Sequence, residues 1–197
     1  MQIPKDEEEF LRVVVIGDSA VGKTSIISKL VCGEFSESEK TTVGAMFVLY
    51  TIKLEEGDVQ IQLWDTAGQE RFRSLGPLYY RNAKCGLIVF DFTKIDTFLN
   101  LDTWINAFTS VAGSDVTVII VGNKSDLVSD RQVSDLEIQS FLETHNYPFF
   151  ATSAKDNESI QQLFKQVGSE LYKKRISLNN TNETSSKIRE KSKSLCC

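Results

Sequence analysis

With 197 residues, 41% of them hydrophobic and 25% charged, the chain suits one globular domain large enough to bury a substantial core. Its formal charge of −5 argues against a nucleic-acid-binding body, and no 18-residue apolar run is present to span a membrane. The first nine residues are acidic and lack the apolar stretch of a signal peptide, and four cysteines, two of them terminal, form no disulfide framework, which fits a reducing cytosol.

In chain order, a short N-terminal extension (1–9) precedes a body, 10–176, in which apolar runs alternate with helix-period segments. Leu11–Ile16, 86–90 and 116–121 are continuous apolar runs rich in β-branched residues, as central parallel strands buried on both faces require. Phe149–Ala151 is a shorter run of the same kind. Segments 47–54 and 59–64 flank Glu55-Glu56-Gly57-Asp58 and read as a hairpin at the sheet edge. Helices are predicted over 23–31, 98–112, 135–143 and 160–175, the last carrying Ile160, Leu163, Phe164, Val167 and Leu171 on one face. This alternation predicts an α/β, doubly wound sheet with ligand at the C-terminal ends of the strands. Cys32 and Cys85 lie in apolar contexts and read as small buried hydrophobes, and His145, after a helical run, reads as a surface residue. From 177 to 197 the sequence turns polar and aperiodic, the composition of a disordered tail, with Lys187, Arg189, Lys191 and Lys193 making it weakly basic.

Four motifs fall where strands end. Gly17-Asp18-Ser19-Ala20-Val21-Gly22-Lys23-Thr24 follows the first strand and opens a helix, the context of a phosphate-binding loop. Its backbone N–H groups, with those at the helix start near Ser25, would converge on phosphate, Lys23 would bridge two phosphates, and the Thr24 hydroxyl is placed for Mg²⁺. Asp65-Thr66-Ala67-Gly68-Gln69 follows the hairpin's second strand: Asp65 can hold Mg²⁺ through water, the Gly68 N–H can approach a γ-phosphate, and Gln69 can orient an attacking water. Asn123-Lys124-Ser125-Asp126 follows a third strand, and the Asp126 carboxylate can accept from both N1–H and the 2-amino group of guanine. Adenine would leave that carboxylate unpaired, at a cost of about 1–3 kcal/mol or more. The Lys124 stem can cover a purine face with its ammonium toward solvent or sugar. Ser153-Ala154-Lys155, after the last strand, would give the Ala154 N–H to guanine O6.

This ordered set resembles the small GTPases of the Ras superfamily, and Arg71-Phe72-Arg73-Ser74-Leu75 with Tyr79-Tyr80-Arg81 resembles the Rab family in particular. The resemblance implies a P-loop G domain: six strands, mostly parallel with one antiparallel edge strand, and helices on both faces. It implies GTP and GDP as ligands with Mg²⁺, slow GTP hydrolysis, and two switch segments that partners read. Thr42 matches the switch I threonine that ligates Mg²⁺, and Phe35 matches the aromatic lying edge-on to guanine. Phe47, Trp64 and Tyr79 match an effector-reading aromatic triad. The chain departs from the pattern at Glu39, where switch I often carries a tyrosine that closes over the phosphates; a carboxylate there cannot cap them in the same way.

The terminal Cys196-Cys197 resembles the Rab signal for double geranylgeranylation, and two lipids give stable anchoring where one does not. The partners so implied are an exchange factor, a GTPase-activating protein, an escort protein, a GDP-dissociation inhibitor and GTP-state effectors, acting on a monomer in vesicle traffic. The location implied is the cytosol and the cytoplasmic face of Golgi or endosomal membranes. Two other classes stay in view. A P-loop ATPase or nucleotide kinase would prefer adenine, against Asp126, and a binding module without hydrolysis would have no use for Gln69.

Overall fold

The computed structural model describes residues 10–36, 42, 44–68 and 75–193, with the backbone alone from 178 onward. Six strands form one sheet: β1 (Leu11–Ile16), β2 (Ala45–Ile52), β3 (Val59–Thr66), β4 (Cys85–Asp91), β5 (Thr117–Asn123) and β6 (Phe149–Ala151). Their order is β2-β3-β1-β4-β5-β6. All neighbours pair in parallel except β2 with β3, which run antiparallel from Ala45↔Thr66 to Ile52↔Val59. Among the described residues the α-helices are α1 (Lys23–Cys32), α2 (Gly76–Tyr80), α3 (Ile95–Leu99), α4 (Leu101–Ala112), α5 (Asp135–His145) and α6 (Asn157–Lys193). The expected α/β sheet with one antiparallel edge strand is therefore present.

The two-residue period of β1 divides the core. Val13 and Val15 face α1 and α6, joining Ile26, Leu30, Leu163, Phe164 and Val167, while Val14 and Ile16 face the layer of α3, α4 and α5 with Phe90, Leu101, Phe108 and Ile138. Every residue of β4 and β5 is buried, which is why both read as unbroken apolar runs. Edge strand β2 is covered on one side only and exposes Met46, Phe47 and Leu49. Two glycines let helix and strand aromatics sit directly on the sheet. A Cβ on Gly86 would lie 2.6 Å from the Phe108 ring, and one on Gly122 would lie 2.7 Å from Phe92 and 2.8 Å from Phe90.

Several boundaries differ from the sequence reading. The expected helix 98–112 is two helices meeting at Asn100, whose backbone N–H closes α3 onto Asp96 O and Phe98 O. The apolar positions Phe98, Leu101, Trp104, Ile105 and Phe108 continue across the break at helical spacing, so periodicity alone cannot show it. Strands β4 and β5 run on to Asp91 and Asn123, which pair with each other at the ligand end. Helix α2 is too short to leave a periodic trace. Helix α6 starts earlier than expected, where the Asp156 carboxylate accepts the N–H groups of Glu158 and Ser159 at 3.0 and 3.1 Å. It also continues as helix to Lys193, where the polar composition predicts an irregular tail. Extending an existing helix needs no nucleation of its own, and among the side chains described up to 177 the last that α6 buries in the core is Leu171.

Cys32 corrects the expectation of burial: it is exposed, because α1 buries Lys23, Ile26, Ile27 and Leu30 and residue 32 falls off that face. Cys85 is buried as expected, and burial pushes its thiol up to about 12. Among the described residues no helix is long and apolar enough to cross a membrane.

Candidate functional site

A cavity of about 380 Å³ opens at the C-terminal ends of the parallel strands. Ser19, Ala20, Gly22, Lys23, Thr24 and Ser25 form one wall, from the loop between β1 and α1. Phe35, Thr42 and Gly68 close a second side, and Asn123, Lys124, Asp126, Ser153, Ala154 and Lys155 form the far end. Four sequence motifs separated by up to a hundred and more residues thus meet in one place. Ser36, Thr66 and Leu127 line the cavity as well and carried no motif signal. Val21, expected at the ligand, is fully buried and instead offers its carbonyl to the Asn123 amide at 2.8 Å.

The loop's shape follows from its glycines. Gly22 is left-handed (φ 97°) and caps α1, whose Ile26 N–H donates to Gly22 O at 3.0 Å. A Cβ at residue 22 would fall 2.2 Å from Asn123 Nδ2, so the phosphate loop and the end of β5 press together there. Lys23 is buried, its Nζ donating to Gly17 O at 3.0 Å and Asp18 O at 2.7 Å. Burial pushes its ammonium down to about 8, with Asp65 and Asp18 opposing the shift. Two carbonyl oxygens and the nearby Asp65 and Asp18 carboxylates thus support a buried ammonium at the cavity wall. Gly68 approaches this group so closely that a Cβ would lie 2.3 Å from Asp18 O and 2.5 Å from Lys23 Nζ.

Three oxygens converge beside Lys23. Thr24 Oγ1 donates to Asp65 Oδ2 at 2.7 Å, Thr42 Oγ1 donates to the same oxygen at 3.1 Å, and the two hydroxyls are 2.9 Å apart. One carboxylate and two hydroxyls make a hard, oxygen-only donor set that fits Mg²⁺, an ion that keeps phosphate and water in its shell and needs few protein ligands. Among the described residues no group of three His, Cys, Asp or Glu side chains gathers into a metal cage.

At the far end Asp126 accepts from Ser153 Oγ at 2.7 Å, and that oxygen in turn accepts the Lys155 N–H at 3.1 Å. Lys155 Nζ stands 3.9 Å from Asp126 Oδ2 and 5.4 Å from the centre of the Phe35 ring. Lys124, left-handed at φ 63°, corrects one expectation: its ammonium does not point to solvent but pairs at 2.6 Å with Asp91, a carboxylate buried at the end of β4. Asp91 is a functional-end residue that sequence reasoning passed over, although a carboxylate closing the apolar run 86–90 was a visible signal. Asn123 lines the cavity yet uses its amide internally, to Val21 O and from Thr152 Oγ1 at 3.3 Å.

Away from the cavity, Phe47, Trp64 and Tyr79 do form a row, with ring centres 5.1 and 5.6 Å apart, drawn from β2, β3 and α2. His145 lies elsewhere, between Phe141 and Tyr147 and 3.2 Å from Asp102. Gln69, Glu39, Cys196 and Cys197 lie outside the described residues.

A glycine-rich strand–loop–helix turn that lines a cavity at the top of a doubly wound sheet, with Asp126 at the cavity's far end, is the architecture of the P-loop nucleotide-binding class. Over residues 12–173 the chain matches the Ras family. It is 37% identical over 167 residues to Ras-related protein Rab-2B of Dictyostelium discoideum, covering 85% of this chain and 83% of that protein. It is 39% identical over 172 residues to Ras-related protein Rab-11C of the same organism, covering 86% and 77%. It is also 39% identical over 170 residues to Ras-related protein YPTC6 of Chlamydomonas reinhardtii, covering 86% and 79%. The chain belongs to the Ras family and is a Rab-type small GTPase, with regulators and effectors as its kinds of partner.

Proposed function

We propose that the cavity binds GTP and GDP with Mg²⁺ and that the chain works as a membrane-anchored switch in vesicle traffic. The observation that carries the reading is the convergence of Thr24, Thr42 and Asp65 beside the buried Lys23 ammonium. Each comes from a different segment, and together they have the chemistry of a metal-polyphosphate site. The loop from Ser19 to Ser25 wraps the phosphates with backbone N–H groups. Lys23 holds the β- and γ-phosphates and neutralises charge as the terminal bond breaks. Mg²⁺, when bound, adds to that neutralisation at the phosphate oxygens. Gly68 brings a backbone N–H to the γ-phosphate, and Gln69 aligns the attacking water in line. Asp126 selects guanine, Ala154 donates its N–H to the base, and Phe35, Lys124 and Lys155 enclose the ring.

Thr42 and Gly68 touch the γ-phosphate end, so their segments are ordered by GTP and released on hydrolysis. Phe47, Trp64 and Tyr79 present the result to effectors. An exchange factor and an activating protein set the switch, while an escort protein and a GDP-dissociation inhibitor handle the geranylgeranylated Cys196 and Cys197. The protein then cycles, as a monomer, between cytosol and the cytoplasmic face of Golgi or endosomal membranes. The test is to identify the co-purified nucleotide and time its single-turnover hydrolysis in the parent and in Gln69→Leu. Guanine nucleotide and a slower variant are expected; equal rates with and without an activating partner would remove Gln69 from the mechanism, and adenine nucleotide would sink the site assignment.

A further inference from the structure

Asp18 carries a charge in the phosphate loop, where a carboxylate would repel the very ligand the loop is shaped for. The structure turns that charge away. Asn100 Nδ2 donates to Asp18 Oδ2 at 2.7 Å, and Trp104 Nε1 donates to Asp18 Oδ1 at 3.0 Å. Both donors lie on one side of the α3–α4 joint, one helical turn apart, and the Trp104 ring is buried in the core. Asp18 is absent from the lining of the cavity.

Its backbone faces the other way. The Asp18 carbonyl accepts the Lys23 ammonium at 2.7 Å, and it is the atom against which Gly68 is pressed. Other anchors of the loop lead elsewhere: Val21 O is tied to β5 through Asn123, and Gly17 abuts Val89 O of β4. Through Asp18 the loop reaches Asn100 and Trp104 at the start of α4.

We propose that Asp18 is a positioning residue for nucleotide retention and GTP hydrolysis, its carboxylate clamping the phosphate loop to the α3–α4 joint. The clamp sets the place of the Asp18 carbonyl, and so of the Lys23 ammonium and the Gly68 backbone. Carboxylate hydrogen bonds are the stronger kind, and both oxygens are used. The inference rests on the nucleotide-site reading above and adds a residue that touches neither substrate nor metal.

The test compares full-length parent with Asp18→Ala, Asp18→Asn, Trp104→Phe, the pair Asn100→Ala with Trp104→Phe, and the triple variant. GDP release, single-turnover GTP hydrolysis and thermal unfolding under saturating GDP are measured for each. Asp18→Ala and the donor pair should each release GDP about tenfold faster, the loss of one charged hydrogen bond or more, and hydrolyse GTP more slowly. Asp18→Asn, which keeps one acceptor oxygen, should restore part of both. The triple variant should match Asp18→Ala alone, because one interaction cannot be lost twice. In the ¹⁵N spectrum the Trp104 indole signal should move in Asp18→Ala, while that of Trp64, which donates to Gln62, stays. Trp104→Phe keeps the ring in the core and serves if Asp18→Ala does not fold. Release and hydrolysis within twofold of parent in Asp18→Ala, additive effects in the triple variant, or a fall in unfolding temperature alone would each overturn the clamp. A parent that binds no guanine nucleotide overturns the site reading and the clamp together.

Discussion

At Lys23 a buried cation leans on two carbonyl oxygens, and burial pushes it down to about 8. A polyphosphate bound as proposed would hold the lysine in its protonated form. Nucleotide affinity should therefore be full below that value and fall as pH rises through it, by about tenfold per unit at the limit. In the ligand-free fold the sign reverses. The unfolded lysine titrates near 10.5, so between about 8 and 10.5 the unfolded chain binds more protons and stability rises with pH. Calorimetry of GDP binding from neutral to alkaline pH, in parent and Lys23→Met, checks this; equal slopes would acquit Lys23. At this scale the sequence was readable wherever a motif packs several functions into a few positions, as in Gly17 to Thr24 or Asn123 to Asp126. Thr42 was readable only through family resemblance, since a lone threonine has no spacing to betray it. The Asp18 clamp was hidden because its donors lie 82 and 86 residues away in sequence.

Elements were legible in proportion to their periodicity. Strands β1 and β6 appear with the boundaries their apolar runs predict, and α1 differs only at its last residue. The break at Asn100 was invisible because the buried face runs through it. Helix α5 was misjudged only at its end: it reaches His145, closed by left-handed Asn146. Its start is a reciprocal cap, in which Glu137 N–H donates to Ser134 Oγ and Glu137 Oε2 accepts from Ser134 N–H. The Ser134 hydroxyl also donates to Glu137 Oε2, at 2.6 Å, and this bond with that from the Ser134 N–H lowers the Glu137 carboxyl below its ordinary value near 4.5. A depressed carboxyl stabilises the fold above that ordinary value, and the contribution is lost as pH falls through the lowered one. Ser134→Ala should lower the unfolding temperature by about 2–4 °C at neutral pH. The difference from parent should shrink in acid, and a shift that does not change with pH would show that the charge plays no part in the cap.

Across the whole molecule, a buried sheet carries the site on its C-terminal edge and two cores on its faces. That plan was legible because parallel strands buried on both sides leave unbroken apolar runs, and ligand loops must then gather at one end. After 177 the polar, aperiodic composition carries no helical signal, while the backbone of α6 runs on as helix to Lys193. Lipid attachment at Cys196 and Cys197 is tested on protein from its native cells. Intact mass should show two geranylgeranyl groups, and changing both cysteines to serine should move the protein from membrane to soluble fractions. Native protein without prenyl mass would refute the anchor.

The glycines set into the central strands also bear on descent. Gly86 lies against Phe108, and Gly122 against Phe90 and Phe92, with no room for a methyl group at either place. An alanine there survives only beside a smaller partner. Each glycine and its rings should therefore vary together among relatives, an expectation that an alignment of homologues at these positions would check.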